Sequence, residues 1–229
     1  MEGLILAAGL GTRLRTLTDD RPKALVEINS KTLFEITLQR MVDAGVERCV
    51  VNVHYFGDML IDFIRSHEWP CEVLVSDERQ MLLDTGGALK HASHLFSGNE
   101  PILVHNVDIL SDIDFHALER HHLQNGNLVT LCTSHRTTKR MLLFDKNGIL
   151  KGRYGEIDDS GLTPLAFSGV SMISPTLFPL LPPDGTSFPA IGTYIELSKC
   201  YPIGCFIHSA EKWLDVGTPE TLALANQRL

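Results

Sequence analysis

The sequence predicts an α/β fold in which a mixed, mostly parallel sheet carries helices on both faces. From Gly3 to Thr133, short apolar runs alternate with segments whose apolar residues recur at helical spacing. Several of those runs are continuously apolar, the pattern of strands buried on both faces. At 229 residues the chain suits one sizeable core and is short for two complete domains.

Gly3 to Ala8 is the first such run. Leu33 to Ala44 is predicted as a helix with Phe34, Leu38, Met41 and Val42 on its apolar side, and Gly45 as its stop. Cys49 to Val53 is a second buried strand, followed by a helix over Phe56 to Ser66 with Phe56, Leu60, Phe63 and Ile64 facing inward. A strand over Glu72 to Ser76, a helix over Thr85 to Leu95 and a strand over Pro101 to His105 come next. Asp114 to Gln124 reads as a helix leading to a strand over Leu128 to Thr133.

The second half is less regular. Leu142 to Phe144 and Ile149 to Arg153 flank Asn147-Gly148, a hairpin signal. Pro182 to Gly185 is a turn. Ser187 to Cys200 reads as a helix, against the grain of Pro189 and Gly192. Ile203 to His208 is a short strand, and Pro219 takes the favoured first position of a last helix. No repeat or low-complexity tract divides the chain, so residues 1–133 and 134–229 are expected as two halves of a single domain.

The composition is that of a globular protein, 44% apolar and 21% charged, with a net charge of −8. An acidic chain without a Lys/Arg run lacks the positive field that nucleic acid or an anionic membrane demands. No apolar run approaches membrane-spanning length, and the N-terminus has no basic region or cleavage pattern, so a cytoplasmic protein is expected. The five cysteines include no C-x-x-C pair and predict reduced core thiols with no zinc site. The ten histidines are dispersed without H-E-x-x-H and predict exposed or hydrogen-bonded side chains.

Ligands of parallel sheets bind beyond the carboxyl ends of the strands. After the first strand the chain reads Leu6-Ala7-Ala8-Gly9-Leu10-Gly11-Thr12-Arg13-Leu14, with Pro22-Lys23 downstream. Two glycines let backbone amides approach an anion, Arg13 offers a fork for phosphate oxygens, and Lys23 adds a point charge. A dinucleotide fingerprint would need glycine where Leu14 stands, which disfavours an oxidoreductase, and no P-loop string follows the strand.

The whole string resembles the signature of the sugar-phosphate nucleotidyltransferases, L-x-A-A-G-x-G-T-R-L-x-P-L-T-x(4)-P-K, with Thr16 in place of its proline. Three further segments share the resemblance. Leu83-Asp84-Thr85-Gly86-Gly87 is similar to the family's nucleoside segment, and Phe167-Ser168-Gly169-Val170 to the F-S-G-I sugar segment of the N-acetylmuramate-1-phosphate uridylyltransferase group. Trp213 to Glu220 matches W-x-D-V-G-T-P-E.

The resemblance implies a Rossmann-like three-layer sandwich of the nucleotide-diphospho-sugar transferase type. It also implies transfer of a nucleoside monophosphate from a nucleoside triphosphate, UTP or GTP, to a sugar 1-phosphate. On this reading Ala7, Ala8, Gly9, Gly11 and Thr12 cradle the triphosphate, and Arg13 and Lys23 are catalytic cations. Asp108 and Asp215 would hold Mg²⁺, which favours one or two carboxylates plus phosphate oxygens. Glu78, Thr85, Gly86 and Asn106 are expected around the nucleoside, and Ser168 and Gly169 around the sugar. Val107 stands where the family has glycine, a change expected to alter the nucleoside side of the pocket. The family's E-K-P lysine is missing, with Lys151 or Arg153 as substitutes. A cytidylyltransferase acting on phosphocholine and a non-catalytic nucleotide-sugar sensor share the same motif logic. The protein is expected as a monomer or homodimer.

Overall fold

The computed structural model describes residues 1–11, 13–14 and 17–228. The chain runs through β1 (Glu2–Leu6), the hairpin strands β2 (Glu27–Ile28) and β3 (Lys31–Thr32), α1 (Leu33–Asp43), β4 (Arg48–Val53) and α2 (Gly57–Arg65). It continues through β5 (Glu72–Asp77), α3 (Asp84–Ala92), β6 (Ile102–Asn106), β7 (Ile109–Leu110), α4 (Phe115–Gln124) and β8 (Val129–Ser134). The second half adds the hairpin β9 (Met141–Phe144) and β10 (Leu150–Arg153), then β11 (Thr163–Ile173), α5 (Ala190–Leu197), β12 (Ile203–Ile207), β13 (Leu214–Asp215) and α6 (Pro219–Arg228).

The apolar runs become strands because each has two faces to bury. In β1, Ile5 points into one core and Leu4 into the other; in β4, Val51 and Val50 divide likewise. One core is closed by Phe34 and Leu38 of α1, Leu60 and Ile64 of α2, and Leu118 of α4. The opposite core is closed by Leu89 and Ala92 of α3 and Ala190 and Tyr194 of α5. The result is three layers, helix on sheet on helix. Each fully buried Leu or Ile contributes about 1.5–3 kcal/mol to holding them together.

The central sheet has the path β10-β9-β11-β6-β1-β4-β5, with β8 pairing β11 and β12 pairing β8. It is mixed and mostly parallel: β10 and β11 run against β1, β4, β5, β6, β8, β9 and β12. Helix starts follow local chemistry. Thr32 caps α1 through a reciprocal box with Glu35, and Asp114 accepts from the Ala117 amide at the start of α4.

The elements expected in the first half match within two residues at each end, except that the last turn of the third predicted helix tightens into a 3-10 helix over Ser93–Leu95; the short strands β2, β3 and β7 were not expected. Two expectations need correction. The helix expected over Ser187 to Cys200 spans only Ala190–Leu197, because Pro189 sits extended as its cap and lacks the amide to continue it. The cysteines are all free, but Cys200 is exposed and Cys71 half-buried, so only Cys49, Cys132 and Cys205 are core thiols. No helix among the described residues is long and apolar enough to cross a membrane.

Candidate active site

The register of the parallel strands builds one wall of a cleft. Leu6 pairs with Asn106 on one side and Asn52 on the other, and Asn52 pairs with Ser76. Strands β6, β1, β4 and β5 therefore end together, and a cavity of about 370 Å³ opens beyond them. Ala7, Ala8 and Gly9 line it from the loop after β1, and Lys23 from the segment that follows. Glu78, Asp84 and Thr85 line it after β5, and Asn106, Val107 and Asp108 after β6.

The glycine loop curls back on itself. Gly11 adopts φ +64°, and its carbonyl accepts from the Leu14 amide at 2.9 Å and the Thr18 hydroxyl at 3.0 Å. A Cβ at Gly11 would meet Thr18 Cγ2 at 2.9 Å. Leu14 is fully buried beneath the loop, which explains why no third glycine is needed there. Gly9 differs: among the described residues nothing lies within 4 Å of a Cβ added to it, so its bare face is open to the cavity. Thr12 and Thr16 lie outside the described residues.

Asn52 is a site residue that the sequence reading did not single out. Its Oδ1 accepts from the Ala7 amide at 2.6 Å and the Ala8 amide at 3.3 Å, while its Nδ2 donates to Glu78 Oε1 at 2.9 Å. One amide thus ties the loop after β1 to the carboxylate after β5. The signal was a polar residue inside the apolar run Cys49 to Val53, at a strand's carboxyl end. Glu78 is buried, and its Oε2 has no hydrogen-bond partner among the described residues. Burial raises its pKa above the ordinary 4.5, opposed in part by the Asn52 hydrogen bond.

Charge is organised in two pairs, one lining the cavity and one on the neighbouring strand β13. Lys23 Nζ lies 2.5 Å from Asp108 Oδ2 and is only 7% exposed. Arg13 Nη2 lies 3.4 Å from Asp215 Oδ2. The two aspartates come from the middle and the end of the chain and meet because β13 pairs with β7: Asp215 is opposite Ile109, and the Val216 amide donates to the Asp108 carbonyl at 2.8 Å. Gly217 leaves room for this pair, since a Cβ would sit 2.7 Å from both Arg13 Nη2 and Asp215 Oδ1 and push the side chains aside. Asp215 Oδ1 is buried without a hydrogen-bond partner among the described residues. An orphaned carboxylate oxygen beside a second carboxylate is a donor set that fits a hard divalent cation such as Mg²⁺. Among the described residues no group of three or more His, Cys, Asp or Glu could hold a metal alone, so phosphate oxygens or water would complete the shell.

The family model for nucleotidyl transferases matches residues 2–141, more than half of the chain. The chain belongs to the nucleotidyl transferase family. It is 34% identical to the N-acetylmuramate alpha-1-phosphate uridylyltransferase of Caulobacter vibrioides, over 99% of this chain and 96% of that protein. It is 31% identical to the protein of the same description from Neisseria meningitidis, over 78% of this chain and 77% of that one. Against the mannose-1-phosphate guanylyltransferase catalytic subunit beta of Dictyostelium discoideum it is 29% identical over 96% of its length, and it spans 62% of that longer protein. The crystal structure of HddC from Yersinia pseudotuberculosis complexed with GMP-PN shares the fold, with a TM-score of 0.79, 23% identity, and 99% and 98% of the two chains covered.

On the far side of the rim the nucleotidyl transferase departs from expectation. Ser168 is fully buried; its hydroxyl donates to His208 Nε2 at 2.7 Å and its carbonyl accepts from Trp213 Nε1 at 2.9 Å. That corrects the expectation of a sugar contact through its side chain, because the hydroxyl is enclosed and does not line the cavity. Gly169, at φ +76°, is buried in the bulge of β11, where a Cβ would meet Ile109 and Asn106 Nδ2. Both residues shape the wall rather than face the cavity. Gly86 is corrected likewise: the ring of Phe188 fills the place of its missing Cβ, its amide donates to the Phe188 carbonyl, and Thr85 and Asp84 line the cavity instead. The Thr85 hydroxyl accepts from the Ala190 amide at 3.0 Å, so this helix start also clamps α5. The bulk of Val107 is taken up in the core beside α1, and its carbonyl accepts from the Thr37 hydroxyl at 3.4 Å. Lys151 is paired with Asp145 at 3.0 Å and Arg153 with Glu156 at 3.5 Å, both on the edge strand β10.

Proposed function

We propose that this nucleotidyl transferase moves a nucleoside monophosphate from a nucleoside triphosphate to a sugar 1-phosphate, giving a nucleoside diphosphosugar and pyrophosphate. The observation that carries the reading is two ion pairs, Lys23–Asp108 lining the cavity and Arg13–Asp215 joined to it through the pairing of β13 with β7. The likeness to two uridylyltransferases over most of the chain supports it.

The acceptor phosphate is already an anion and needs no base. One of its oxygens forms a bond to the α-phosphorus as the bond to the bridging oxygen breaks, and pyrophosphate leaves with that electron pair. The barrier lies in bringing two polyanions into line, so catalysis is positioning and charge stabilisation. The amides of Gly9 and Gly11, with Thr12, receive the triphosphate, on a loop that Ala7 and Ala8 anchor through their amides to Asn52. Arg13 and Lys23 neutralise charge at the leaving group and the α-phosphate. Asp108 and Asp215 would hold Mg²⁺, which supplies further charge neutralisation when bound. Glu78, Thr85 and Asn106 surround the nucleoside. The second carboxylate oxygen of Glu78, Oε2, is an acceptor without a partner among the described residues, suited to a base with an imino N–H, hence uracil or guanine. The reading carries with it a cytoplasmic enzyme, monomer or homodimer, supplying nucleotide sugar to the cell envelope.

Steady-state pyrophosphate release by Lys23→Ala and Asp108→Ala tests the assignment. Each is expected to lose at least about a hundredfold in kcat, in line with removal of one charge-stabilising group, with an unchanged far-ultraviolet circular dichroism spectrum. Turnover near wild type in either variant would remove that residue from the machinery.

A further inference from the structure

The acceptor of the proposed reaction brings a phosphate that carries nearly two negative charges, and the catalytic pairs described above serve the other substrate. A cation is therefore needed on the acceptor side of the rim. Lys151 and Arg153 are committed to Asp145 and Glu156. Lys212, the residue before Trp213, lies 3.6 Å from Asp112.

Arg136 is different. It follows β8, and its guanidinium carbon sits 3.8 Å from the centroid of the Trp213 ring, in stacking range. One terminal nitrogen, Nη2, donates to the Phe167 carbonyl. Its Nε is buried with no hydrogen-bond partner, and no carboxylate lies within ion-pair distance of it among the described residues. Burial holds its pKa below the ordinary arginine value, while the charge of Asp215 acts in the opposite direction. The side chain is thus a preoriented, partly desolvated fork with donor capacity to spare, stacked on Trp213 two residues before Asp215. A fork of this kind matches phosphate oxygens better than a point charge does.

We propose that Arg136 is the residue that binds the phosphate of the acceptor, taking the part that the sequence reading sought in Lys151 or Arg153. The inference rests on the transfer reaction proposed above. Arg136 takes part in no bond change. It offsets the repulsion between the acceptor phosphate and the α-phosphate and holds the attacking group on the Asp215 side. Trp213 acts through it as a positioning residue, held by its own hydrogen bond to the Ser168 carbonyl.

The test compares wild type, Arg136→Ala and Arg136→Lys in steady-state kinetics, with equilibrium titration of the nucleoside triphosphate and a thermal melt of each. In Arg136→Ala, the acceptor KM is expected to rise about tenfold or more, with the triphosphate Kd within about twofold of wild type. Arg136→Lys restores the charge without the fork and should fall between the two. An unchanged acceptor KM in Arg136→Ala overturns the assignment while the transfer reaction stands. So does a parallel loss of acceptor and triphosphate affinity with a lowered Tm, which would make Arg136 a strut for β11. If wild type transfers to no sugar 1-phosphate, the reaction itself falls and Arg136 loses its ligand with it.

Discussion

Asn52 does two jobs with one amide, and a single substitution separates its contribution from the rest of the wall. Asn52→Ala leaves the buried Ala7 amide and Glu78 Oε1 without their partner. An unsatisfied buried donor costs about 1–3 kcal/mol, so the variant should melt several degrees lower. Its triphosphate KM should rise while the acceptor KM stays put, because the loop it holds lies on the triphosphate side. Paired melts and kinetics check this; an unchanged triphosphate KM would mean that the loop holds its shape without Asn52. At this scale the sequence was informative where a residue type has few other uses. Lys23 and Asp108 meet as charges that must be paired to be buried. It misled at Ser168 and Gly86, where hydroxyl and bare backbone serve the protein's own packing. Nothing in a local string tells whether a glycine is approached by a ligand or by Phe188.

Among the elements, α4 is tied to the sheet by a closed ring of hydrogen bonds. The Asn127 Nδ2 donates to Thr130 Oγ1 at 3.0 Å, and that hydroxyl lies 2.9 Å from His122 Nδ1. His122 Nε2 lies 3.0 Å from Ser174 Oγ, whose hydroxyl donates to the Asn127 carbonyl at 3.0 Å. The ring closes when His122 is neutral, with Nδ1 accepting from Thr130 and Nε2–H donating to Ser174. Burial pushes the His122 pKa from 6.5 down to about 4, with the neighbouring His121 acting in the same direction. The sign follows: above pH 6.5 both folded and unfolded forms are neutral and the ring is intact. As pH falls from 6.5 toward 4 the unfolded chain takes up the proton first, and stability is lost. His122→Phe should lower stability near neutral pH by roughly 1–3 kcal/mol and flatten the loss across that window. Urea unfolding at several pH values measures both; an equal slope in wild type and variant would contradict the assignment. The helices and parallel strands were legible because periodicity and capping residues are local signals. Strand β11 was not legible as a strand, since Pro164 and Gly169 break its pattern and its burial comes from three neighbours, β6, β8 and β9.

For the whole molecule, the topology does what no motif could: it brings the end of the chain back to its middle. The two-residue strands β7 and β13 carry no periodicity of their own, yet their pairing sets Asp215 beside Asp108. The sequence announced both aspartates but not their meeting, which depends on β11 and the segment behind it crossing the sheet. The three-layer arrangement was legible from alternation alone, because a strand with two apolar faces requires two layers of cover. The most direct test of the central claim is pyrophosphate release with Mg²⁺, crossing the four nucleoside triphosphates with the 1-phosphates of N-acetylmuramate, mannose, glucose and heptose. The account predicts release that requires one specific pair, with UTP or GTP as donor and a nucleoside diphosphosugar formed in equal amount. No release with any pair, while nucleotide binding persists, would contradict it and turn the same fold into a sensor.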